Sequence, residues 1–542
     1  MSDREDDGDR HGGGRQPALR LVIAYDADGI REVSRRRLER VVPPSEPLET
    51  AERRAGFRVE VRDADNELRY VRFLQDPRRA NEKVESNEAL THVGRARDSG
   101  TFAVLVPYLS GGDIVVTDRR SAGGARPMQD DEFARFPLDD DSNAAARSIA
   151  PEPTSDCNQV VGSEKIRDMG PDADRWTFVV LGEGYEEDEL EAFASDADSL
   201  TDALLNATPF DELSEGINVH RVDVASCESG VSQPGGCDDD DEVDTYFDGT
   251  FCTPEAAKRT LVVDTGKVID VLEQEVPMWD LGLVVVNSSE RGDSGADLVP
   301  VTTVGSSSGL ALHEIGHSAF ALADEYDFFH GPDDDDFEDP DYSRYEGDEP
   351  EEPNITAANT RGDAKWSHLI PRGVDVPTTT KDDCEESDWG DSNPEPPGTV
   401  GLFEGAGYHR CGLYRPVFNC RMRQTHRDFC PVCEERIHET LAPFITEAEG
   451  EIVFLRAHDV GTGYGPDRDH LDVEVVVRLD TAPDRAFGFQ LRDDEQEATR
   501  RCMLDTLRTA FEEGREVGIE YQATGARNGE LLAVEVLKES NT

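Results

Sequence analysis

The chain has 542 residues, of which 117 are acidic and 55 are basic, and its formal net charge is -62. This charge argues against a nucleic-acid partner, because phosphate binding needs a basic face, and against an anionic membrane surface. No apolar run reaches the length of about 18 residues that a membrane span needs. The excess acid is spread along the whole chain and most cations are Arg, so we predict a halophilic archaeal source, where molar salt screens the repulsion between carboxylates.

The first part of the chain predicts a tail, a β-rich domain and a linker. Residues 1–16 are polar and rich in glycine, as in a disordered tail, and they contain no apolar export signal. From 17 to 125 the apolar runs are short, rich in β-branched residues and separated by turn signals such as SGGD, so we predict a β-sandwich. Residues 126–156 are polar and acidic, which is typical of a linker.

Strands and helices alternate in the first part of the predicted catalytic domain, residues 157–447, whereas residues 353–447 are irregular and rich in Pro, Gly and Cys. RWTFVVLGEGY predicts a buried strand and a turn, and an amphipathic helix with an acidic first turn follows. INVHRVDVAS and LGLVVVNSS predict two further strands with a partly helical segment between them. This order implies an α/β layer with a partly parallel sheet.

Residues 448–542 predict a small α+β accessory domain. Four apolar runs of strand length accompany one amphipathic helix, EQEATRRCMLDTLRTAFEEG. The predicted fold class is therefore multidomain α+β, with a β-sandwich, a central α/β domain and a small C-terminal domain.

The motif that carries chemistry is HExxH, formed by His313, Glu314 and His317. On a helix, residues four apart lie on one face, so both imidazoles can bind one Zn²⁺. Glu314 follows the first ligand and can act as general base toward water. The alternative is a pair of surface histidines, but the motif lies in a predicted amphipathic helix that follows an apolar strand.

A catalytic zinc site needs a third protein ligand. Asp324 lies seven residues beyond His317, which in an unbroken helix would place it about 10 Å further along the axis, too far to reach the metal. Either the helix ends before Asp324 and the chain turns back, or the ligand is Glu325, His330 or His409.

HEIGHSAFALADEY, which contains the HExxH motif, is similar to the signature of the IgA-peptidase family of zinc metallopeptidases, which is metzincin-like. FVVLGEGYEEDELEAF resembles the first strand and helix of that family. VDVASCESGVSQP, DTYFDGTF and AGYHRCGLYRPVFNCRMRQTHRDFCPVCEERI resemble its later segments in the same order. The resemblance covers residues 155 to 440 and implies a metzincin-like zinc peptidase domain.

The resemblance also implies roles for single residues. The family often has Gly at the position of Ala321, three residues before the third ligand, so Ala321 is the expected bend and Asp324 the expected ligand. Met422 matches the methionine turn that metzincins place beneath the zinc. Tyr408 and Tyr414 are candidates for a hydrogen bond to the tetrahedral oxyanion. Arg415 is a candidate for binding a substrate carboxylate or, more simply, a neighbouring acidic loop.

Most of the ten cysteines fall in two clusters. Their spacing leaves a structural metal, disulfides and free thiols open. Disulfides would conflict with the cytoplasmic location that the N-terminus predicts, whereas the family resemblance implies export. The clusters comprise Cys227, Cys237 and Cys252, and Cys411, Cys420, Cys430 and Cys433.

The predicted function is a zinc-dependent endopeptidase acting on a protein or peptide substrate. Two alternatives are a catalytically silent binding protein that retains the metal, and a zinc hydrolase of a non-peptide amide. The intact His313, Glu314 and His317 favour an active enzyme over the first alternative.

Overall fold

The structure of the protein is a computed structural model. Most of the predicted N-terminal tail and most of the predicted linker lie outside the residues that it describes, as do His330, Cys237 and Cys252. The described residues are 15–26, 29–46, 56–74, 79–86, 89–96, 99–120, 129–139, 157–232, 242–251, 261–290, 293–295, 299–327, 344–347, 349–381, 384, 392–445, 447–459, 464, 473–483, 485–491, 497–523 and 528–537.

The N-terminal region contains nine strands. Seven of them form two antiparallel sheets, in the orders β2-β1-β7 and β4-β3-β8-β9, and both sheets contribute to one apolar core. The strands are β1 (Gln16–Asp26), β2 (Gly29–Arg40), β3 (Gly56–Arg62), β4 (Leu68–Phe73), β5 (Arg79–Ser86), β6 (Ala89–Ala96), β7 (Gly100–Pro107), β8 (Asp113–Arg120) and β9 (Gln129–Pro137). Strand β9 lies inside the segment whose composition predicts a linker, because Phe136 packs into this core between the exposed residues Arg135 and Pro137.

The central sheet has eight strands in the order β10-β12-β11-β13-β15-β14-β5-β6, so the β5–β6 hairpin of the N-terminal region extends it. Strands β11, β12, β13 and β15 run parallel, as the alternation of strands and helices predicts. The further strands are β10 (Gln159–Arg167), β11 (Trp176–Glu183), β12 (Ile217–Ala225), β13 (Leu281–Val286), β14 (Asp293–Gly295) and β15 (Val301–Thr303).

Both faces of this sheet are covered. Every residue of β11 and β13 is buried, and successive residues of each strand belong to two different apolar cores. A β-hairpin, β16 (Phe403–Ala406) and β17 (His409–Arg415), follows later in the chain. The helices of this region are α1 (Leu190–Leu205), α2 (Thr265–Glu275), α3 (Ser308–Phe320) and α4 (Pro431–Leu441).

The C-terminal region is a closed barrel in the order β18-β19-β20-β22-β21, accompanied by one helix. The sequence predicts four of its strands and the helix but misses β20, which is only four residues long. Apolar residues of the barrel share one continuous core with the central region. The elements are β18 (Glu447–Ala457), β19 (Val475–Leu479), β20 (Ala486–Phe489), α5 (Glu497–Glu513), β21 (Glu516–Ala523) and β22 (Asn528–Val536).

Buried ion pairs join the N-terminal sheets to the central region. Arg20 lies 3.0 Å from Glu273, and Arg40 lies 2.5 Å from Asp280. Breaking one buried pair typically costs about 3–5 kcal/mol, because the remaining charge is left uncompensated. The described elements thus form a multidomain α+β protein, as predicted, and none of the described helices is long and apolar enough to cross a membrane.

Candidate metal centre

Helix α3 carries the HExxH motif and is defined at both ends. At its start, the Ser307 side chain accepts a hydrogen bond from the backbone N–H of Leu310 at 3.2 Å, which caps the helix. His313 and His317 lie one turn apart, with ring centroids 4.7 Å from each other. Both rings are buried, so they do not form the pair of surface histidines that was the alternative interpretation.

The chain reverses direction at Ala321. Ala321 adopts the left-handed conformation, with φ 53° and ψ 38°, immediately after the last helical residue. The backbone N–H groups of Ala321 and Leu322 donate to the carbonyl oxygens of His317 and Gly316, which closes the helix end. The helix therefore ends before Asp324, and the turn brings Asp324 back to the two histidines.

Three side-chain atoms converge at this turn. The Nε2 atoms of His313 and His317 are 3.0 Å apart, and Oδ1 of Asp324 lies 3.1 Å from the first and 3.2 Å from the second. The Nδ1 atom of His313 pairs with the carbonyl oxygen of Arg421 at 2.9 Å, and that of His317 pairs with the carbonyl oxygen of Leu322 at 2.5 Å. Because a carbonyl only accepts, each Nδ1 carries a proton, and the Nε2 atom of each ring is the one that faces Asp324.

This donor set fits a metal ion. Two imidazole nitrogens and a carboxylate oxygen are ligands that zinc takes at about 2.0–2.1 Å, and ligands on a tetrahedron of that size lie about 3.3–3.4 Å apart. The three observed separations, 3.0, 3.1 and 3.2 Å, are close to that spacing. All three side chains are at most 3 % exposed, so these donor atoms lie together in a poorly solvated site, where a bound cation would compensate the buried carboxylate.

Met422 lies beneath the helix. A Cβ atom built on Gly316 would come within 2.8 Å of the Met422 sulfur, so only glycine allows this approach. The loop around Met422 also contacts the metal-site residues through its backbone. Arg421 supplies the carbonyl that pairs with His313, and the carbonyl oxygen of Met422 accepts a hydrogen bond from Glu325 N–H at 2.8 Å.

Glu314 and Tyr408 complete the surroundings of the three ligand atoms. Glu314 is fully buried, and its Oε1 lies 3.9 Å from His313 Nε2. Tyr408 donates its hydroxyl proton to Oδ2 of Asp324. Burial raises the pKa of Tyr408 well above its usual range, so the hydroxyl stays protonated and remains a donor at neutral pH.

The structure separates Asp324 from the other candidates for third ligand. Glu325 points away from the histidines into a group of three cysteines. His409 packs edge-to-face against Tyr345, with ring centroids 5.1 Å apart. Among the described residues, the group of possible ligands around His313 and His317 includes only Asp324, and His330 falls outside the described part of the chain.

The remaining candidates have other partners. Tyr414 packs into the main core, and its backbone pairs with that of Thr356. Arg415 is fully buried and donates to the carbonyl oxygens of Phe418, Glu404 and Gly405. It therefore binds backbone groups of neighbouring loops rather than a substrate carboxylate.

Sequence analysis missed Asn354. Its side chain is fully buried, accepts a hydrogen bond from Ala323 N–H at 2.7 Å and donates to the Ala323 carbonyl at 2.8 Å. The amide also donates to Glu325 Oε1 at 3.0 Å. Asn354 thus fixes the segment that carries Asp324, although no local pattern links residues that are 31 positions apart.

A family model described as IgA Peptidase M64 matches residues 165–392 and 385–441, which together make up half of the chain. The matched region includes the HExxH helix, the turn at Ala321 and the loop around Met422. A comparison with curated proteins finds no match.

Proposed function

The chain belongs to the IgA peptidase M64 family, and from this premise we propose that it is a zinc-dependent endopeptidase whose zinc is held by His313, His317 and Asp324. Membership indicates a metallopeptidase and confirms the resemblance to the IgA-peptidase family, while the metzincin-like fold and the zinc stay predictions. The observation that carries the zinc proposal is the convergence of two Nε2 lone pairs and one carboxylate oxygen, at separations of 3.0 to 3.2 Å.

We assign different residues of this chain separate roles in peptide hydrolysis. Zinc, when bound, supplies a Lewis acid that acidifies water and polarises the scissile carbonyl. Glu314, buried beside His313, accepts the proton of the attacking water and returns it to the leaving amine. Tyr408 orients the Asp324 carboxylate, since its hydroxyl already donates to Oδ2, so we assign it a positioning role rather than oxyanion binding.

The test is a comparison of wild type with Glu314→Gln and His317→Ala. Protein purified in 2 M KCl is assayed for zinc content and for hydrolysis of casein, used as a generic unfolded substrate. Glu314→Gln should keep the metal and lose about 10²–10⁴-fold in kcat, the usual contribution of a general base. His317→Ala should lose both metal and activity.

Glu187→Gln is the matched control, because Glu187 is an exposed carboxylate in the turn before α1. It should behave as wild type. Turnover by Glu314→Gln at the wild-type rate would remove the proposed base. A metal-loaded wild type that hydrolyses no unfolded protein or peptide would favour a silent binding protein or a hydrolase of another amide.

The cysteines support a proposal about the compartment. Among the described residues there are two disulfides, Cys157–Cys227 and Cys384–Cys411. Because disulfides persist in oxidising surroundings, we propose that the enzyme works outside the reducing cytoplasm and meets substrate proteins there. A peptide map of the native protein under non-reducing conditions checks this, and reduced thiols at these four positions would contradict it.

A further inference from the structure

A second group of metal-ligand residues lies next to the first. Cys420, Cys430, Cys433 and Glu325 are all buried, with Cys430 at 4 % exposure and the others at 0 %. Cys430 is the N-cap of α4, and Cys433 lies in its first turn. Cys420 precedes Met422 by two residues, and Glu325 directly follows Asp324. Three separate segments therefore meet at one point.

The separations between these atoms exclude disulfides and match a metal site. Cys433 Sγ lies 3.7 Å from Cys420 Sγ and 3.5 Å from Cys430 Sγ, whereas bonded sulfurs are about 2.05 Å apart. Oε1 of Glu325 lies 3.6 Å from Cys433 Sγ and 4.0 Å from Cys430 Sγ. On a tetrahedron with Zn–S of about 2.3 Å and Zn–O of about 2.0 Å, the corresponding edges are about 3.8 Å between sulfurs and about 3.5 Å between sulfur and oxygen.

We propose that Cys420, Cys430, Cys433 and Glu325 bind a structural zinc ion. Three thiolates and a carboxylate complete a tetrahedron, which is the closed arrangement of structural zinc sites, and soft sulfur ligands favour zinc over calcium or magnesium. Oε2 of Glu325 is buried and has no hydrogen-bond partner among the described residues. A buried carboxylate oxygen without a donor is costly, and a cation in this group would compensate it.

The surroundings are those of metal-bound thiolates. Backbone N–H groups of Met422 and Cys430 donate to the Cys420 sulfur, and the N-terminus of α4 points its positive dipole end at the group. Burial raises the pKa of the Glu325 carboxyl well above its usual range, and the nearby guanidinium of Arg415 opposes that shift by favouring the carboxylate. Asn354 orients that carboxylate through the hydrogen bond to Oε1, which is the usual task of an outer-shell partner.

The cysteine site is connected through the backbone to the histidine site, although the two sites share no ligand. Glu325 and Asp324 are neighbours in a segment without helix or strand structure, and their side chains turn to opposite groups. The Glu325 N–H also bonds to the carbonyl of Met422, the residue packed against Gly316 of the HExxH helix. A zinc ion bound by Glu325 and the cysteines would hold the Asp324 segment, the Met422 loop and α4 together.

The competing explanation is a redox-active dithiol, since Cys430-Pro-Val-Cys433 at a helix N-terminus has the spacing of thiol–disulfide enzymes. Such cysteines need access to a partner thiol, whereas both sulfurs here are buried against a third cysteine and a carboxylate. The geometry therefore favours the metal.

The experiment replaces zinc by Co²⁺ in the full-length chain and compares wild type with His317→Ala, Cys430→Ser and Cys502→Ser. Thiolate–cobalt sites show sulfur-to-metal charge-transfer absorption in the near ultraviolet, which a site of two histidines and a carboxylate lacks. Wild type should bind two metal ions and show this absorption. His317→Ala should bind one ion and keep the charge-transfer absorption. Cys430→Ser should lose this absorption. Its metal affinity at the cysteine site should fall on the order of 100-fold or more, beyond the loss expected for an outer-shell partner.

Cys502→Ser is the matched control, because Cys502 is a free and exposed cysteine. It should resemble wild type. One ion in wild type and none in His317→Ala, with no charge-transfer band, would overturn the second site and leave the catalytic centre intact. A Cys430–Cys433 disulfide in the purified protein would overturn it as well. If Cys430→Ser does not fold, the wild-type and His317→Ala spectra still decide, and neither depends on peptidase activity.

Discussion

The left-handed turn at Ala321, which places Asp324 near the histidines, can be tested by the substitution Ala321→Gly. If the turn is left-handed, this substitution should increase the stability of the protein. Left-handed backbone costs an L-residue about 1–2 kcal/mol, and glycine avoids that cost. Against this, glycine loses about 0.5–1 kcal/mol more conformational entropy on folding than alanine. The Ala321 methyl is only partly buried, so little packing is lost. Ala321→Gly should therefore stabilise the protein by about 0.5–1 kcal/mol.

Ala319→Gly is the matched control, since Ala319 has the same side chain in the right-handed part of the same helix and is 5 % exposed. Glycine at position 319 relieves no backbone strain. Ala319→Gly should therefore lower the free energy of unfolding by about 1 kcal/mol or more, because glycine has a lower helix propensity and a buried methyl group is lost. The assay is denaturant unfolding in 2 M KCl at fixed metal concentration. The two variants should shift the midpoint in opposite directions.

Metal content and hydrolysis should stay at the wild-type level in Ala321→Gly, because the substitution eases a conformation that the backbone already adopts. Destabilisation equal to that of Ala319→Gly would refute the left-handed turn. It would also remove the geometric reason for choosing Asp324 over its neighbours as the third ligand.

Three further predictions concern the same site and the charge of the chain. Asn354→Ala should destabilise the protein by about 2–4 kcal/mol, because it leaves the buried N–H and C=O of Ala323 unpaired, and unfolding of the metal-free protein checks this. Tyr408→Phe should weaken metal binding at Asp324 by about 10–100-fold while the fold is kept, as competition with a chelator would show; unchanged affinity would contradict its positioning role. The thermal midpoint should rise between 0.1 and 2 M KCl, since the screening length falls from about 10 Å to about 3 Å or less around a chain of net charge -62; a flat response would count against a halophilic source.

The coarse fold could be predicted because strand and helix patterns are local. Every residue of β11 and β13 is buried, and this appears in the sequence as uninterrupted apolar runs. The parts that could not be predicted depend on distant contacts. Strand β9 looks like a linker because its apolar residues are few, and β20 is too short to show a period. No sequence pattern indicates that the β5–β6 hairpin extends the central sheet.

In the candidate site, too, some features follow from local sequence patterns and others depend on contacts between distant residues. HExxH places two imidazoles on one helical face by spacing alone, and their burial follows from the apolar residues around them. The third ligand could not be fixed from spacing, since Asp324 and Glu325 have the same chemistry and adjacent positions. What separates them is the left-handed turn at Ala321 together with Asn354, and a preference for glycine makes alanine a poor signal for such a turn.

The neighbouring carboxylates explain why one short segment can serve two metal groups. In a β-strand consecutive side chains point in opposite directions, and here an Asp–Glu pair between two ligand clusters likewise supplies one carboxylate to each. Asp324 reaches the two histidines, and Glu325 reaches the three cysteines. The main chain between them is held by Asn354 and by the Met422 carbonyl, so a displacement at either group moves the other. Removing the cysteine-bound zinc should therefore weaken metal binding at the histidines even though no ligand is shared. Because coupling between two binding equilibria is reciprocal, loss of the ion at the histidines should weaken metal binding at Cys420, Cys430 and Cys433 by the same factor, while that site still fills at saturating metal.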